Sequence, residues 1–363
     1  MALDLKQILD GAVVMAPMTK GSNLPYRRLC DELGATITMG EMALSRKLKQ
    51  RKRSEYALVK RSETEKIFGV QLAGRDADEM AWAAALAVER GADLVDINVG
   101  CPIHEMTRRG LGSALLEKPH KVAAMVEAMK RAVGDVPVTV KIRLAWEEGR
   151  FVHVKVAKAA VEAGADAVVV HGRTRTARYR RAADWERIGE VVEAVSVPVV
   201  GNGDILFPHE IEEGRRRSGC AGVMIARGAL IKPWIFKEAS DGYWDITAEE
   251  RLALGRRYVE LAREHWGDDD RATHRIRGFL LWHLDFWYRY VPRGEDGTFP
   301  KLQERDGGFP PRSDLEAVLS RPDRAAHEWI ANLLLHGADD AGPPPPTPSA
   351  DELEASREVI PEG

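Results

Sequence analysis

Cys101 is the residue whose type and setting point most directly to chemistry. It lies in the segment DINVGCP, residues 96–102, where a glycine and a proline predict a tight, exposed turn directly after a strand. A free thiol has a pKa of about 8.5, so at neutral pH it can donate a proton, and as a thiolate it can attack an electrophile. Cys30 and Cys220 lack such a setting, and we expect them to be small buried apolar residues. Three cysteines without CxxC spacing predict neither a disulfide framework nor a zinc site.

Polar residues also stand at the ends of several apolar runs. Lys141 alternates with Val138 and Val140, so it points away from the valine face. Such a lysine can hold a ligand anion, form a Schiff base with a carbonyl, or pair with a carboxylate, and spacing does not choose among these. The segments GNGD at 201–204 and ARG at 226–228 combine small residues with a guanidinium, which suits either a phosphate site or ordinary turns. Other polar residues at run ends are Glu41, Gln71, Asn98, Arg143, His171 and Arg173.

The apolar pattern supplies a framework for these residues. Eight short runs rich in Val, Ile and Ala begin near residues 12, 35, 66, 92, 137, 167, 198 and 222, and helical patterns separate them. Their mean spacing of about 30 residues is the size of one βα unit. Eight consecutive units predict an α/β fold, a TIM (β/α)8 barrel, whose chemistry lies at the carboxyl ends of the strands. A doubly wound sheet is the alternative, but it would want a phosphate-binding glycine loop after its first strand, where this chain has Ala16-Pro17-Met18-Thr19.

The pattern changes after residue 244. We assign residues 1–244 to the barrel domain and residues 245–338 to a small all-helical domain, whose first helix opens at Thr247 with two acids in its first turn. The next helix, residues 272–290, is rich in aromatic residues that could form either the core of this domain or a base-stacking surface, and the core is the commoner outcome. Residues 339–363 carry prolines and acids without apolar periodicity, which predicts a disordered tail.

Composition and charge exclude several classes of protein. The chain has 363 residues, 44% hydrophobic and 30% charged, as in ordinary globular proteins. No apolar run approaches the roughly 20 residues that span a bilayer, and the start lacks a secretory signal, so we expect a cytoplasmic protein without a membrane segment. The net charge of -3 combines a tail of -6, seven acids against Arg357, with a body of +3. That distribution permits a polyanionic partner.

Seven motifs in a fixed order make the chain resemble the tRNA-dihydrouridine synthase family over residues 8–337. They are APM at 16–18, VQL at 70–72, DINVGCP at 96–102, VKIR at 140–143, HGRT at 171–174, GNGD at 201–204 and IARG at 225–228. Further segments, RY at 178–179, ADW at 183–185 and RSDLE at 312–316, look most like the branch that in eukaryotes modifies the uridine beside the variable loop. That branch carries a zinc-finger extension, which this sequence does not contain.

The resemblance implies an FMN-dependent reduction of the C5–C6 double bond of a uridine in tRNA, with NADPH reloading the flavin. It implies that hydride passes from flavin N5 to uracil C6 while Cys101 donates a proton to C5. The residues it implies at FMN are Ala16, Pro17, Met18, Gln71, Lys141, His171, Asn202, Gly203, Asp204, Ala226 and Arg227. The substrate side would comprise Asn98, Arg143, Arg173, Arg175, Arg178 and Tyr179, beside a uracil turned out of its stack.

Three other functions stay open at this stage. A barrel flavin enzyme could reduce a free pyrimidine or another small enone, although it would need neither the arginine-rich loop at 172–181 nor a helical domain. Lys141 could be the Schiff-base lysine of an aldolase, and the protein could be an RNA-binding module without catalysis. For the favoured function we expect a monomer that binds tRNA and holds no metal.

Overall fold

The computed structural model describes residues 3–177, 179, 181–301 and 309–357. In that part of the chain the strands are β1 Val13–Met15, β2 Ile37–Met39, β3 Ala43–Leu44, β4 Ile67–Ala73, β5 Leu94–Val99, β6 Val138–Arg143, β7 Ala167–His171, β8 Val199–Asn202 and β9 Gly222–Ile225. Every pairing between them is parallel. β1 lies between β2 and β9, β2 also pairs with β4, and each strand from β4 to β9 pairs with the next, so eight strands close into a ring. The predicted TIM barrel is confirmed.

The helices flank and follow the barrel. Those of the described residues are α1 Leu5–Leu9, α2 Leu24–Glu32, α3 Ser45–Lys49, α4 Arg53–Leu58, α5 Ala77–Glu89, α6 His104–Arg108, α7 Pro119–Val133, α8 His153–Glu162, α9 Trp185–Ala194, α10 Pro208–Ser218, α11 Arg227–Ile231, α12 Ile235–Asp241, α13 Ala248–Trp266, α14 Asp270–Trp287, α15 Asp314–Leu319, α16 Arg324–His336, α17 Ala338–Ala341 and α18 Ala350–Arg357. A short 3-10 helix spans Gly112–Leu115.

Local sequence explains where the main helices begin and end. The Asp76 side chain accepts a hydrogen bond from the Glu79 N–H at 2.9 Å and caps α5. Thr247 and Glu250 form a reciprocal capping box at the start of α13. Gly134 ends α7 with a φ of 62°, a conformation that favours glycine.

The barrel interior is apolar at its amino end and polar at its carboxyl end. Leu5 and Leu9 of α1 close the amino end against an inner cluster formed by Val14, Ile37, Met39, Leu94, Val169, Val200 and Met224. Because side chains alternate along a strand, the same inward rows end in polar residues at the other end. Those polar residues are Gln71, Asn98, Lys141, Arg143, His171 and Asn202. The fold thus gathers the polar strand ends in one mouth.

The sequence predicts helices after residue 244, and in the structure these helices pack against the barrel, an arrangement that the sequence did not predict. α13 lies on α2, and an ion pair at 2.7 Å joins Arg257 to Glu32. In and after α14 the aromatic residues divide into two groups. Phe279, Phe286, Trp287 and Tyr290 are buried, whereas Trp282 and Tyr288 are half-buried.

The segment after residue 338 differs from the expectation of disorder. It carries α17 and α18, and the prolines between them contact the helical unit. The Arg321 guanidinium donates to the carbonyl oxygens of Pro345 at 2.9 Å and Pro346 at 3.0 Å, and the Trp329 indole N–H donates to Gly342 at 2.9 Å. The acceptors are backbone carbonyls, so apolar periodicity, on which the expectation rested, does not report on them.

Two further properties concern the described residues as a whole. None of their helices combines the length and the apolar character needed to cross a membrane. Within the same ranges, no group of three or more His, Cys, Asp or Glu side chains is arranged to hold a metal ion.

Candidate active site at the barrel mouth

A cavity of about 970 Å³ opens at the carboxyl ends of the strands. On its barrel side it is lined by Ala16, Pro17, Met18, Gln71, Asn98, Cys101, Lys141, Arg143, His171, Tyr179, Asn202, Ala226 and Arg227. Its other side is formed by the helical unit, including Trp282, Phe286, Tyr288 and Arg289, and by Pro344–Pro346. Ligand sites in this fold lie at this end of the barrel, so the cavity is the candidate site.

Cys101 is held in the mouth by a chain of hydrogen bonds that starts inside the barrel. The Cys101 N–H donates to Asn98 Oδ1 at 2.9 Å, and Asn98 Nδ2 donates to Gln71 Oε1 at 2.7 Å. Gln71 Nε2 in turn donates to Asp96 Oδ2 at 2.8 Å. A carboxylate only accepts hydrogen bonds, so Asp96 fixes which way both amides face and therefore how the Cys101 backbone is anchored.

Burial shifts the pKa values of the titrating groups in this chain of hydrogen bonds. It raises the pKa of Asp96 to about 6, although hydrogen bonds from Thr139, at 2.6 Å, and from Gln71 oppose it. Burial also raises the pKa of the Cys101 thiol above its ordinary value. At neutral pH, therefore, Asp96 is mainly a carboxylate and Cys101 carries its proton.

Lys141 and His171 stand on the next two strands. Burial first, and then the charge of Arg143, lowers the pKa of Lys141 to about 8. Its ammonium donates to Asn202 Oδ1 at 3.0 Å, an amide whose nitrogen is held by the Met224 carbonyl. Burial, with four nearby cations, lowers the pKa of His171 well below its ordinary value, so the ring is neutral at pH 7.

An arginine cluster borders the mouth where β7, β8 and β9 end. The Arg173 guanidinium contacts both carboxylate oxygens of Asp204 at 2.5 Å, and Arg227 contacts one of them at 3.1 Å. Asp204 has a φ of 52°, and its carboxylate also accepts from the Ala183 N–H at 2.7 Å. The Tyr179 ring lies 3.8 Å from the Arg227 guanidinium carbon. Asp204 thus holds two guanidinium groups in place, and only Arg227 of the pair lines the cavity.

A family model described as "Dihydrouridine synthase (Dus)" matches residues 14–283. The chain belongs to the Dus family. The resemblance inferred from the seven motifs is confirmed, and every one of those motifs lies within the matched residues.

Curated relatives agree with this membership. The chain is 41% identical over 351 residues to the tRNA-dihydrouridine(47) synthase [NAD(P)(+)] of Cryptococcus neoformans var. neoformans, covering 91% of this chain and 48% of the relative. It is 41% identical over 352 residues to the tRNA-dihydrouridine(47) synthase [NAD(P)(+)]-like protein of Homo sapiens, covering 94% of this chain and 52% of the relative. The chain therefore spans about half the length of these relatives.

Among solved structures, a 2-naphthoyl-CoA reductase complex matches with a TM-score of 0.51 at 13% identity, over 63% of this chain and 50% of the other. That similarity concerns the fold alone. It agrees with the barrel of the Dus chain.

The structure brings most of the predicted Dus site residues to the cavity and places four others outside its lining. Gly203 and Asp204 lie behind it, in the turn after β8. Arg173 is 2% exposed and contacts Asp204, and the Arg175 guanidinium lies over the Trp146 ring at 4.3 Å. Arg178 lies outside the described residues.

Sequence reasoning missed two parts of the site in this Dus chain. Asp96 stands two residues before Asn98, so strand alternation places both on the inner face, but the pattern gave no partner for Asp96. The aromatic wall of α14 was recognised as a stripe, whereas its position against the barrel mouth depends on how the helical unit docks. No local pattern reports that docking.

Proposed function

We propose that this protein is a tRNA-dihydrouridine synthase, which reduces the C5–C6 double bond of a uridine in tRNA with FMN as its cofactor and NADPH as its electron donor. Family membership and the names of the relatives support the reaction class. The observation that carries it is the position of Cys101, a protonated thiol lining the cavity that Lys141 and Arg227 also line.

The residues of the cavity fit FMN. Its chemistry requires cations for a phosphate and for an electron-rich ring, together with an apolar surface and amide groups. Arg227 and Lys141 supply the cations, and Met18 belongs to the apolar part. The residues that would hold FMN are Ala16, Pro17, Met18, Gln71, Lys141, His171, Asn202, Ala226 and Arg227, while Gly203 and Asp204 shape the turn behind them. Bound FMN would supply a hydride to C6 of the uracil, and NADPH would restore it.

The side chains of the mouth donate the proton, position Cys101 and stabilise charge. Cys101 donates its proton to C5, because burial keeps the thiol protonated at neutral pH. Asn98 and Gln71 hold the Cys101 backbone, and Lys141 holds a positive charge that stabilises negative charge on the cofactor ring. Arg143 donates to the carbonyls of Gly100 at 2.8 Å and Thr174 at 3.1 Å, so it ties the Cys101 loop to the arginine-rich loop.

The substrate we propose is the uridine at position 47 of tRNA, the position in the names of the relatives. A uridine within a folded tRNA must leave its stack to reach Cys101 in the mouth. Arg175 and Tyr179 lie on the loop after β7, and of these two Tyr179 lines the cavity, so we assign this loop to contact with the RNA. Arg173 acts from inside by positioning that loop, since its Nε–H donates to the Arg181 carbonyl at 2.7 Å.

Absorbance of the purified protein tests this function. We expect flavin bands that bleach when NADPH is added under anaerobic conditions and return when unmodified tRNA follows. Bands that bleach but ignore tRNA would favour a flavin reductase acting on a small enone. A protein that stays colourless after reconstitution with FMN would overturn the proposal. Mapping dihydrouridine in the reacted tRNA tests position 47 separately.

The role of Cys101 has its own test. Cys101→Ala removes the proton donor, so tRNA-dependent return of the flavin bands should slow by about 100-fold or more. Cys220→Ala is the matched control, because Cys220 is a buried thiol that does not line the cavity. Equal rates for Cys101→Ala and the control would remove Cys101 as the donor while leaving the flavin assignment intact.

A further inference from the structure

The wall of the cavity opposite the strand ends is aromatic. Trp282 and Phe286 of α14 line it, with ring centroids 5.1 Å apart. Phe286 is 5% exposed and backs Trp282, which is half-buried and contributes to the cavity surface. Tyr288 extends this wall, with the Arg289 guanidinium carbon 5.4 Å from its ring. Aromatic rings interleaved with cations are typical of surfaces that bind single-stranded nucleic acid.

Lys20 stands beside this wall in a backbone conformation that lysine rarely adopts. Its φ is 63°, in the left-handed region. Two side chains hold it there: the Lys20 N–H donates to Glu41 Oε2 at 2.7 Å, and the Lys20 carbonyl accepts from Asn23 Nδ2 at 2.8 Å. Non-glycine residues kept in this region cluster at binding and catalytic sites. The Lys20 ammonium lies 5.9 Å from the centre of the Trp282 ring.

The loop that carries Lys20 packs directly on Trp282. A Cβ atom at Gly21 would lie 3.2 Å from the Trp282 ring and 2.9 Å from the end of the Leu230 side chain, so the loop lies closer to the indole than a larger residue would allow without small shifts of these neighbours. The loop after β1 therefore packs against α14, and it places the Lys20 ammonium over the Trp282 indole. One group suits a phosphate, and the other suits the face of a base.

We infer that Trp282 and Lys20 form a subsite for a nucleotide that flanks the reduced uridine, with its base stacked on the indole and its phosphate at the ammonium. This rests on the proposed function, because only an RNA substrate brings a neighbouring nucleotide to the mouth. A uridine that leaves its stack exposes the face of its neighbour, and Trp282 replaces the lost stacking partner. The adenosine part of NADPH also carries a base and phosphate groups, so the experiment must distinguish a tRNA nucleotide from NADPH at this subsite.

The experiment measures tRNA affinity of the FMN-loaded protein over a range of salt concentrations. Trp282→Ala should weaken binding by about 5- to 150-fold, the range measured for loss of one stacked base, without changing the slope of log affinity against log salt. Trp282→Phe should restore most of the affinity. Lys20→Met should lower the magnitude of that slope by about 0.7 to 0.9, as expected for one lost phosphate contact.

Trp82→Ala is the matched control, because Trp82 is 39% exposed on α5 and does not line the cavity. Affinity of Trp282→Ala equal to that of the control would overturn the subsite, as would an unchanged salt slope in Lys20→Met. The second arm decides the question even if Trp282→Ala folds poorly. Slower bleaching by NADPH with unchanged tRNA affinity would assign the indole to NADPH and overturn the proposal. Wild-type protein that binds FMN but leaves tRNA unreduced would instead contradict the proposed function itself.

Discussion

Lys141 is a half-buried cation in the barrel mouth. Its pKa falls from the ordinary 10.5 to about 8, mainly through burial. Between these values the unfolded chain binds a proton that the folded chain has released, so this residue makes the free energy of unfolding rise with pH across that window. At neutral pH the buried charge lowers the stability of the flavin-free protein, which is consistent with a site built to receive an anionic partner.

This effect can be measured by comparison with Lys141→Met. In the flavin-free protein, the stability of the wild type relative to the variant should increase between pH 8 and pH 10.5, by an amount on the order of 3 kcal/mol. Chemical unfolding at several pH values gives the difference. Lys158→Met, at an exposed position of α8, is the control for removal of a lysine side chain. A difference that stays flat for Lys141→Met across this range would contradict the assigned burial of its charge.

The residues of the mouth were predictable to different degrees. Cys101, Asn98 and Lys141 follow from strand-end positions, because parallel strands deliver their carboxyl ends to one place. Asp96 was not assigned, since its function depends on Gln71, which stands on the neighbouring strand. Arg173 was predicted at the substrate, yet its guanidinium lies on Asp204. The sequence position of an arginine does not reveal whether its guanidinium will pair with a carboxylate 31 residues away.

At the scale of elements, the barrel strands lie within two residues of their predicted starts, because apolar runs of parallel strands are buried on both faces. β3 was not predicted, and its two residues are too few to form a pattern. Helix α14 was predicted with its aromatic stripe. Of the two roles considered for that stripe, a domain core describes only some of its residues. Phe279 and Trp287 are core residues, whereas Trp282 lines the cavity.

The junction between β9 and α11 gives a prediction about element packing. A Cβ atom at Gly228 would lie 2.0 Å from the Ile205 carbonyl oxygen, so Gly228→Ala must displace α11 and, with it, Arg227. We expect a loss of stability of about 1–3 kcal/mol, as in other overpacked sites, together with weaker retention of FMN.

Gly278 provides the opposite case in the same chain. It is exposed within α14, and a Cβ atom there would meet nothing within 4 Å. Gly278→Ala should therefore stabilise the protein by about 0.5–1 kcal/mol, with flavin retention as in the wild type. Thermal unfolding and the flavin content after gel filtration compare the two variants. If the Gly228→Ala protein retains flavin and melts like the wild type, the close contact of Gly228 with Ile205 is not required to position α11 and Arg227.

At the scale of the whole molecule, positive charge is concentrated in the segment after β3 and negative charge in the carboxyl-terminal segment. Exposed basic residues follow β3, and they are Arg46, Lys49, Arg51, Lys52 and Arg53. The segment after residue 338 carries a net charge of -6, and its described acids Asp339, Asp340, Asp351 and Glu352 are exposed. Residues 344–347 line the outer cavity, so this acidic segment lies beside the opening that we assign to tRNA.

Removal of residues 339–363 should therefore strengthen tRNA binding several-fold at low salt, because like charges beside the opening repel the phosphate backbone. The gain should shrink as salt rises and shortens the screening length. A variant that keeps all 363 residues but has its seven tail acids changed to amides separates charge from steric obstruction. If it matches the truncated protein, charge is the cause; if only truncation helps, the prolines anchored by Arg321 obstruct entry. Equal tRNA affinity for the wild type and both variants would show that the segment leaves the path of the RNA free.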